Sequence, residues 1–71
     1  MDISRVKFNL NEQVEYTSES RGLIKTRYIL TGCILRKNAN GYYYDAELQD
    51  IRQPGSLVIA KLKDVNEKKV E

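Results

Sequence analysis

The stretch Tyr28–Asp50, YILTGCILRKNANGYYYDAELQD, reads as two β-like runs joined through an Asn-Gly pair. Asn tolerates a positive φ and Gly adopts one readily, so Asn40-Gly41 between β-branched and aromatic residues predicts a tight hairpin with its turn at Asn38 to Gly41. The run Tyr42 to Gln49 is then expected to pair antiparallel with the run before it. Because a strand sends alternate side chains to opposite faces, Tyr42, Tyr44, Ala46 and Leu48 share one face, and Tyr43, Asp45, Glu47 and Gln49 the other. Tyr42 and Tyr44 are expected to pack inward with Val14, Leu30, Ile34, Leu48 and Leu57, leaving Tyr43 outside.

The first arm, IKTRYILTGCILRK, is the longest apolar and β-branched run in the chain. Both of its faces are partly apolar, with Tyr28, Leu30 and Ile34 on one and Ile29, Thr31, Cys33 and Leu35 on the other. A bend at Gly32 that changes the face presented accounts for this pattern. A break at Thr31-Gly32 into two short strands is the alternative. A helix over residues 23–37 fails on its content of Ile, Thr, Tyr and Gly, all weaker helix formers than Ala or Leu.

Upstream, FNLNEQVEYTSES gives a turn around Asn9 to Asn11 and a strand near Gln13 to Thr17, with Val14 and Tyr16 inward and Glu12 and Glu15 left to solvent. TSESRG reads as a loop in which Gly22 is available for a positive φ. Downstream, DIRQPGS turns at Pro54-Gly55, and Leu57 to Ala60 form a short apolar strand. Leu62 and Val65, three apart in AKLKDVNEKKVE, suit a single helical turn closing one end of a small sheet. With 71 residues there is room for one domain. It is placed at residues 11–66, with 1–10 as a lead-in and 67–71 as a tail that pairs weakly or frays.

The expected fold is all-β, with four or five short antiparallel strands, and a barrel is the economical way for so few strands to protect their edges. The order of features, a VEY first strand, the bent YILTGCILRK, a hairpin into YYYDAELQD, a brief SLVIA and the closing AKLKDV, resembles the SH3-like small barrels, loosely their KOW-type and Tudor-like members. The likeness spans Asn11 to Asn66. It implies a fold rather than an activity, since such barrels serve RNA, DNA, modified-peptide and structural roles. No set of aromatic-cage positions carries over onto these residues.

Twelve Lys and Arg against ten Asp and Glu give a net charge of +2, too small to identify a nucleic-acid binder. The distribution is less even. Met1 to Glu19 holds two basic and four acidic residues, whereas Ser20 to Tyr44 holds five basic residues, no acidic one, and four of the five tyrosines. A single cysteine, Cys33, excludes an intrachain disulfide and a thiolate zinc site, and points to a reducing, cytoplasmic compartment. MDISRVKF lacks the apolar run of a signal peptide, and no apolar stretch approaches the roughly 20 residues of a membrane-spanning helix, so no membrane role is expected.

Catalysis finds little support. There is no histidine. Cys33, mid-strand beside Gly32 and Ile34, suits an inert buried thiol better than a nucleophile. Asp45 and Glu47 are spaced to hold a divalent cation or act as an acid/base pair, but are expected only to solubilise an exposed face. RGLIK lacks the pattern of a phosphate loop, and no cofactor is expected. The reading is a small non-catalytic protein-interaction or structural module, with an unidentified protein partner or a second copy of itself. The alternative is binding of RNA or DNA, with Arg21, Lys25, Arg27, Arg36 and Lys37 against phosphates and Tyr43 or Tyr28 against bases. Asp45 and Glu47 on the Tyr43 face would oppose phosphate there.

Overall fold

The computed structural model describes residues 1–18 and 24–67. A 3₁₀ turn (Ile3–Arg5) and a helical turn α1 (Val6–Asn9) precede β1 (Gln13–Ser18), β2 (Ile24–Asn38), β3 (Gly41–Asp50) and β4 (Leu57–Lys61). A second 3₁₀ turn (Leu62–Asp64) leads into β5 (Val65–Glu67). Every strand pair is antiparallel, and the strands form one sheet in the order β4-β3-β2-β1-β5. The all-β expectation holds. Residues 19–22 of the expected TSESRG loop, Gly22 included, and residues 68–71 of the expected tail lie outside the described residues.

The sheet is not closed, which corrects the expected SH3-like barrel. β4 and β5 are its two edges and do not pair with each other. They are five and three residues long, and the turn Leu62–Asp64 stands between them. That turn buries Leu62 and delivers Val65 to the core, where they meet Val6 of α1. A helical turn and the N-terminal segment thus cover the sheet face that a barrel would cover with a second run of paired strand. Residues 1–10 are part of this cover: the Met1 amino group donates to the Leu62 and Val65 carbonyls at 2.9 and 2.5 Å. Asn11, at φ 65°, then turns the chain into β1, a conformation that Asn tolerates better than most residues. Its N–H donates to the Leu30 carbonyl at 2.7 Å.

One residue of slip shapes the centre of the sheet. The β2–β3 register runs Leu30↔Leu48 and then Gly32↔Glu47 and Cys33↔Ala46, so Thr31 has no partner opposite it. β2 therefore continues as one strand with a bulge, and the alternative of two strands broken at Thr31-Gly32 is not found. Before the bulge the even residues Tyr28 and Leu30 face the core; after it the odd residue Cys33 does. Gly32 is not in a positive-φ conformation, so the face change comes from the extra residue and not from glycine's freedom. The Thr31 hydroxyl donates within this irregularity to Glu47, at 3.1 Å from its carbonyl oxygen and 2.8 Å from its Oε1.

The hairpin turn spans Asn38 to Gly41, as expected. Asn38 pairs with Gly41, so Ala39-Asn40 are the two turn residues. A type I′ turn needs positive φ at both central positions, whereas neither Ala39 nor Asn40 has one and the positive φ, 125°, falls on Gly41. The Asn38 side chain supplies the missing support by accepting the Asn40 N–H at 2.8 Å. At the next turn Asp50 accepts the Arg52 and Gln53 N–H groups, and Ser56 N–H closes onto the Gln53 carbonyl at 2.8 Å.

Val14, Leu30, Leu48 and Val65 are fully buried, and Val6, Tyr28, Ala46, Ala60 and Leu62 complete the core. The tyrosine assignment needs correction. Tyr42 is 70% exposed and Tyr44 37%, while Tyr43 is half-buried; Leu57 is exposed and Ile34 half-buried. Tyr42 and Tyr44 do share a face with buried Ala46 and Leu48, as period two requires. However, β1 pairs with β2 only as far as Ile29, and β4 pairs with β3 only from Asp45 onward. The end of the β2–β3 hairpin is consequently a two-stranded projection, with no third strand beside it among the described residues.

Leu48→Ala should cost about 2–5 kcal/mol, since it opens a cavity under the strand pair that carries the core. Leu57→Ala, on an exposed position of β4, should stay within about 0.5 kcal/mol. Urea melts of the two variants check the face assignment, and equal losses would overturn it. A second prediction concerns Glu67, which accepts from Asn9 Nδ2 at 2.7 Å and Arg5 Nε at 2.9 Å. The Asn9 hydrogen bond, followed by that of Arg5, holds its carboxyl below the ordinary value of 4.5. The resulting stabilisation is complete above that value and is lost as pH falls through the lower folded-state value. Wild type should therefore exceed Glu67→Gln in stability at about pH 6, and the difference should shrink by about pH 3 in paired thermal melts.

Candidate binding surface at the hairpin end

Past the bulge, the paired arms of β2 and β3 present two different faces. On the core-side face Leu35 lies across from Tyr44 and Lys37 across from Tyr42. Leu35 is 57% exposed, and together with the two tyrosines it makes an apolar surface open to solvent. The Lys37 Nζ lies 5.6 Å from the Tyr42 ring centroid, within cation–π range. On the opposite face Ile34 lies across from Asp45 and Arg36 from Tyr43. Arg36 reaches diagonally to Asp45, Nε to Oδ2, at 2.6 Å.

That ion pair changes the reading of both residues. Asp45, expected on an exposed solubilising face, is buried at 8%. A buried carboxylate needs a partner, and Arg36 supplies it. The Arg36 guanidinium is thereby partly committed before any ligand arrives. Glu47, the other acidic residue of that face, is half-buried and accepts the Thr31 hydroxyl. Among the described residues no group of three or more His, Cys, Asp and Glu side chains is arranged to hold a metal ion.

A cleft of about 510 Å³ opens beside the projection, between the hairpin end, the N-terminal segment and the turn after β4. Tyr43 and Tyr44 line it from the hairpin, Met1, Ile3 and Leu62 add apolar surface, and Lys61 and Lys63 bring positive charge. Asp2 is its one acidic lining residue among those described. The Ser4 hydroxyl and the Ser4 N–H both donate to the Asp2 carboxylate, and these two hydrogen bonds, the hydroxyl first, hold its carboxyl below the usual range. The volume lies within the range of small-ligand or side-chain pockets.

The candidate residues chosen from sequence are divided by the fold. Arg36, Lys37 and Tyr43 come together at the hairpin end, but Arg36 and Tyr43 stand on one face and Lys37 on the other. Lys25 and Arg27 are exposed at the far end of β2, where Arg27 lies across from Glu15. Nine residues of strand, about 30 Å, separate Arg27 from Arg36. Arg21 lies outside the described residues. Tyr28 is a core residue, its ring 6.1 Å from that of Tyr16. Sequence reasoning passed over Leu35, Tyr42 and Tyr44 as surface residues, and over Lys61, Lys63 and Ile3 altogether. The spacing of Lys61 and Lys63 around Leu62 was the available signal, because a buried residue flanked by two lysines puts both at the rim of what it plugs.

No protein-family model, curated protein or solved structure was found to match the chain.

Cys33 is half-buried, on the core-side face. Burial pushes its thiol above the ordinary value, and the nearby Asp45 charge adds to the effect. The thiolate is the reactive form, so alkylation by iodoacetamide near pH 8 should be slower, by roughly several-fold, than for an unhindered thiol. An equal or faster rate would contradict this placement.

Proposed function

We propose that this chain is a non-catalytic, cytoplasmic protein-interaction module that takes an apolar segment flanked by acidic residues. The partner lies on the core-side face of the hairpin end and in the adjoining cleft. The observation carrying this reading is the exposure of Leu35, Tyr42 and Tyr44 together on one face of a two-stranded projection. Aromatic residues on a rigid strand bring large contact area at low cost in conformational entropy, and they are enriched at the centres of interfaces. Lys37, Lys61 and Lys63 surround this surface and favour acidic groups beside the apolar anchor.

Nucleic-acid binding is the weaker reading on the same ground. Its cations are split between the two ends of β2, and Arg36 already pairs with Asp45. The cytoplasmic assignment rests on the single reduced cysteine; in the described residues, no helix is long and apolar enough to cross a membrane.

A backbone NMR titration separates the readings, using a short synthetic peptide that alternates leucine and glutamate and, in parallel, a single-stranded oligonucleotide. The peptide should shift Leu35, Tyr42, Tyr44 and Lys61, and Tyr44→Ala should weaken its binding by about tenfold, as for a central interface anchor. An unmoved spectrum with the peptide would overturn the proposal. Oligonucleotide binding at these residues that falls steeply with salt would overturn it in favour of nucleic acid.

A further inference from the structure

The two edges of the sheet are protected to very different degrees. β5 is three residues long, and its Glu67 is engaged by Arg5 and Asn9 from the N-terminal segment. Short length and cover by another segment are two ordinary ways of blunting an edge. β4, with sequence LVIAK, is five residues long and pairs only with β3 among the described residues. It contains no proline, no acidic residue and no bulge, and its one charge, Lys61, stands at its end. Alternate residues of an edge strand turn their N–H and C=O groups away from the sheet, so half of the β4 backbone is a template for a further strand.

The side chains of β4 add a second observation. Leu57 and Ile59 share the outer face and are 57% and 46% exposed. Their neighbours on β3 are polar, Gln49 across from Leu57 and Glu47 across from Ile59. Neither residue has an apolar cross-strand neighbour on the β3 side, although cross-strand pairs are the unit of sheet stabilisation.

We propose that β4 is a self-association edge: two copies of the chain join β4 to β4 antiparallel about a two-fold axis perpendicular to the sheet. Centred on Ile59, this pairing sets Ile59 across from the partner's Ile59, and Leu57 across from the apolar stem of the partner's Lys61. An edge that pairs with itself is isologous and closes after two copies. A head-to-tail pairing of β4 with β5 would require displacing the Arg5 and Asn9 contacts to Glu67. Like charges are absent from the centre of the joint, since the two Lys61 side chains fall at its opposite ends. The joint lies along the free edge of β4 and the outer face of the sheet, away from Leu35, Tyr42 and Tyr44, and shares only Lys61 with the surface at the hairpin end. A joint built on five-residue strands buries less than the roughly 1,200 Å² of a standard interface, and the dimer is accordingly weak and concentration-dependent.

Sedimentation velocity over a range of concentrations tests this with a charge swap at the symmetry point. Wild type should pass from monomer to dimer as concentration rises. Ile59→Lys and Ile59→Glu each place like charges directly opposite one another and should weaken the dimer by roughly tenfold or more. Mixing the two variants should restore association as a heterodimer, because only the mixed pair sets opposite charges together. Circular dichroism confirms that both variants fold, as expected for an exposed position. A monomeric wild type at all concentrations, a dimer indifferent to both substitutions, a mixture no tighter than either variant alone, or growth beyond the dimer would each overturn the proposal.

Discussion

The extra residue in β2 is the constraint on which the rest of the structure depends. Thr31 has no partner opposite it, so the inward set changes from even to odd numbers between Leu30 and Cys33. Without that change, strict alternation would turn Gly32 and Ile34 inward, and Cys33 and Leu35 away from the core. With it, Leu30↔Leu48 and Cys33↔Ala46 both point to one side, and Ala46 goes on to meet Ala60 of β4. The opposite side receives Ile34, Asp45 and Arg36, and there the Arg36–Asp45 pair forms. Bulges commonly re-aim a strand in this way, and the Thr31–Glu47 hydrogen bonds satisfy polar groups that the slip would otherwise leave idle.

A consequence of unequal strand lengths follows from the same ladder. β2 and β3 have 15 and 10 residues, whereas β1 and β4 have six and five. The short strands flank only the base of the hairpin. Its far end keeps the hydrogen bonding of a ladder but, among the described residues, has no third strand to bury Leu35, Tyr42 and Tyr44. A two-stranded hairpin standing alone is marginal in water; here it is anchored at its base by the five-stranded sheet and braced across one face by Arg36–Asp45. The chain thus holds a large aromatic surface in place at solvent, an arrangement better suited to contact than to core formation.

The core itself is completed from outside the sheet. Val6 from α1 and Leu62 from the turn after β4 lie against Val14, Leu48 and Val65, and the Met1 amino group ties the N-terminal segment to that turn. Covering the sheet in this way removes the need for β4 to meet β5. It also leaves β4 bare, and it creates the cleft where Met1, Ile3 and Leu62 approach Tyr43 and Tyr44. The open edge and the cleft have one origin in the choice of cover.

From the sequence alone the β character of the chain was legible, because it rests on local facts: β-branched and aromatic runs, Gly and Pro at turns, and alternation over Val14-Tyr16 and Ala46-Leu48. The turn between β2 and β3, the face change near Gly32 and the helical turn bearing Leu62 were legible for the same reason, although of the Asn-Gly pair only Gly41 takes the positive φ. Burial at the hairpin end was not legible. Period two correctly placed Tyr42 and Tyr44 on the Leu48 face, but whether a face is covered depends on how far the neighbouring strands extend, and no local pattern records that. The same holds for closure, since an open sheet and a barrel share their strand sequences and differ in whether two distant edges meet. Asp45 shows the limit most directly: its alternation marks a solvent face, and only the diagonal approach of Arg36 across the hairpin makes its burial tolerable.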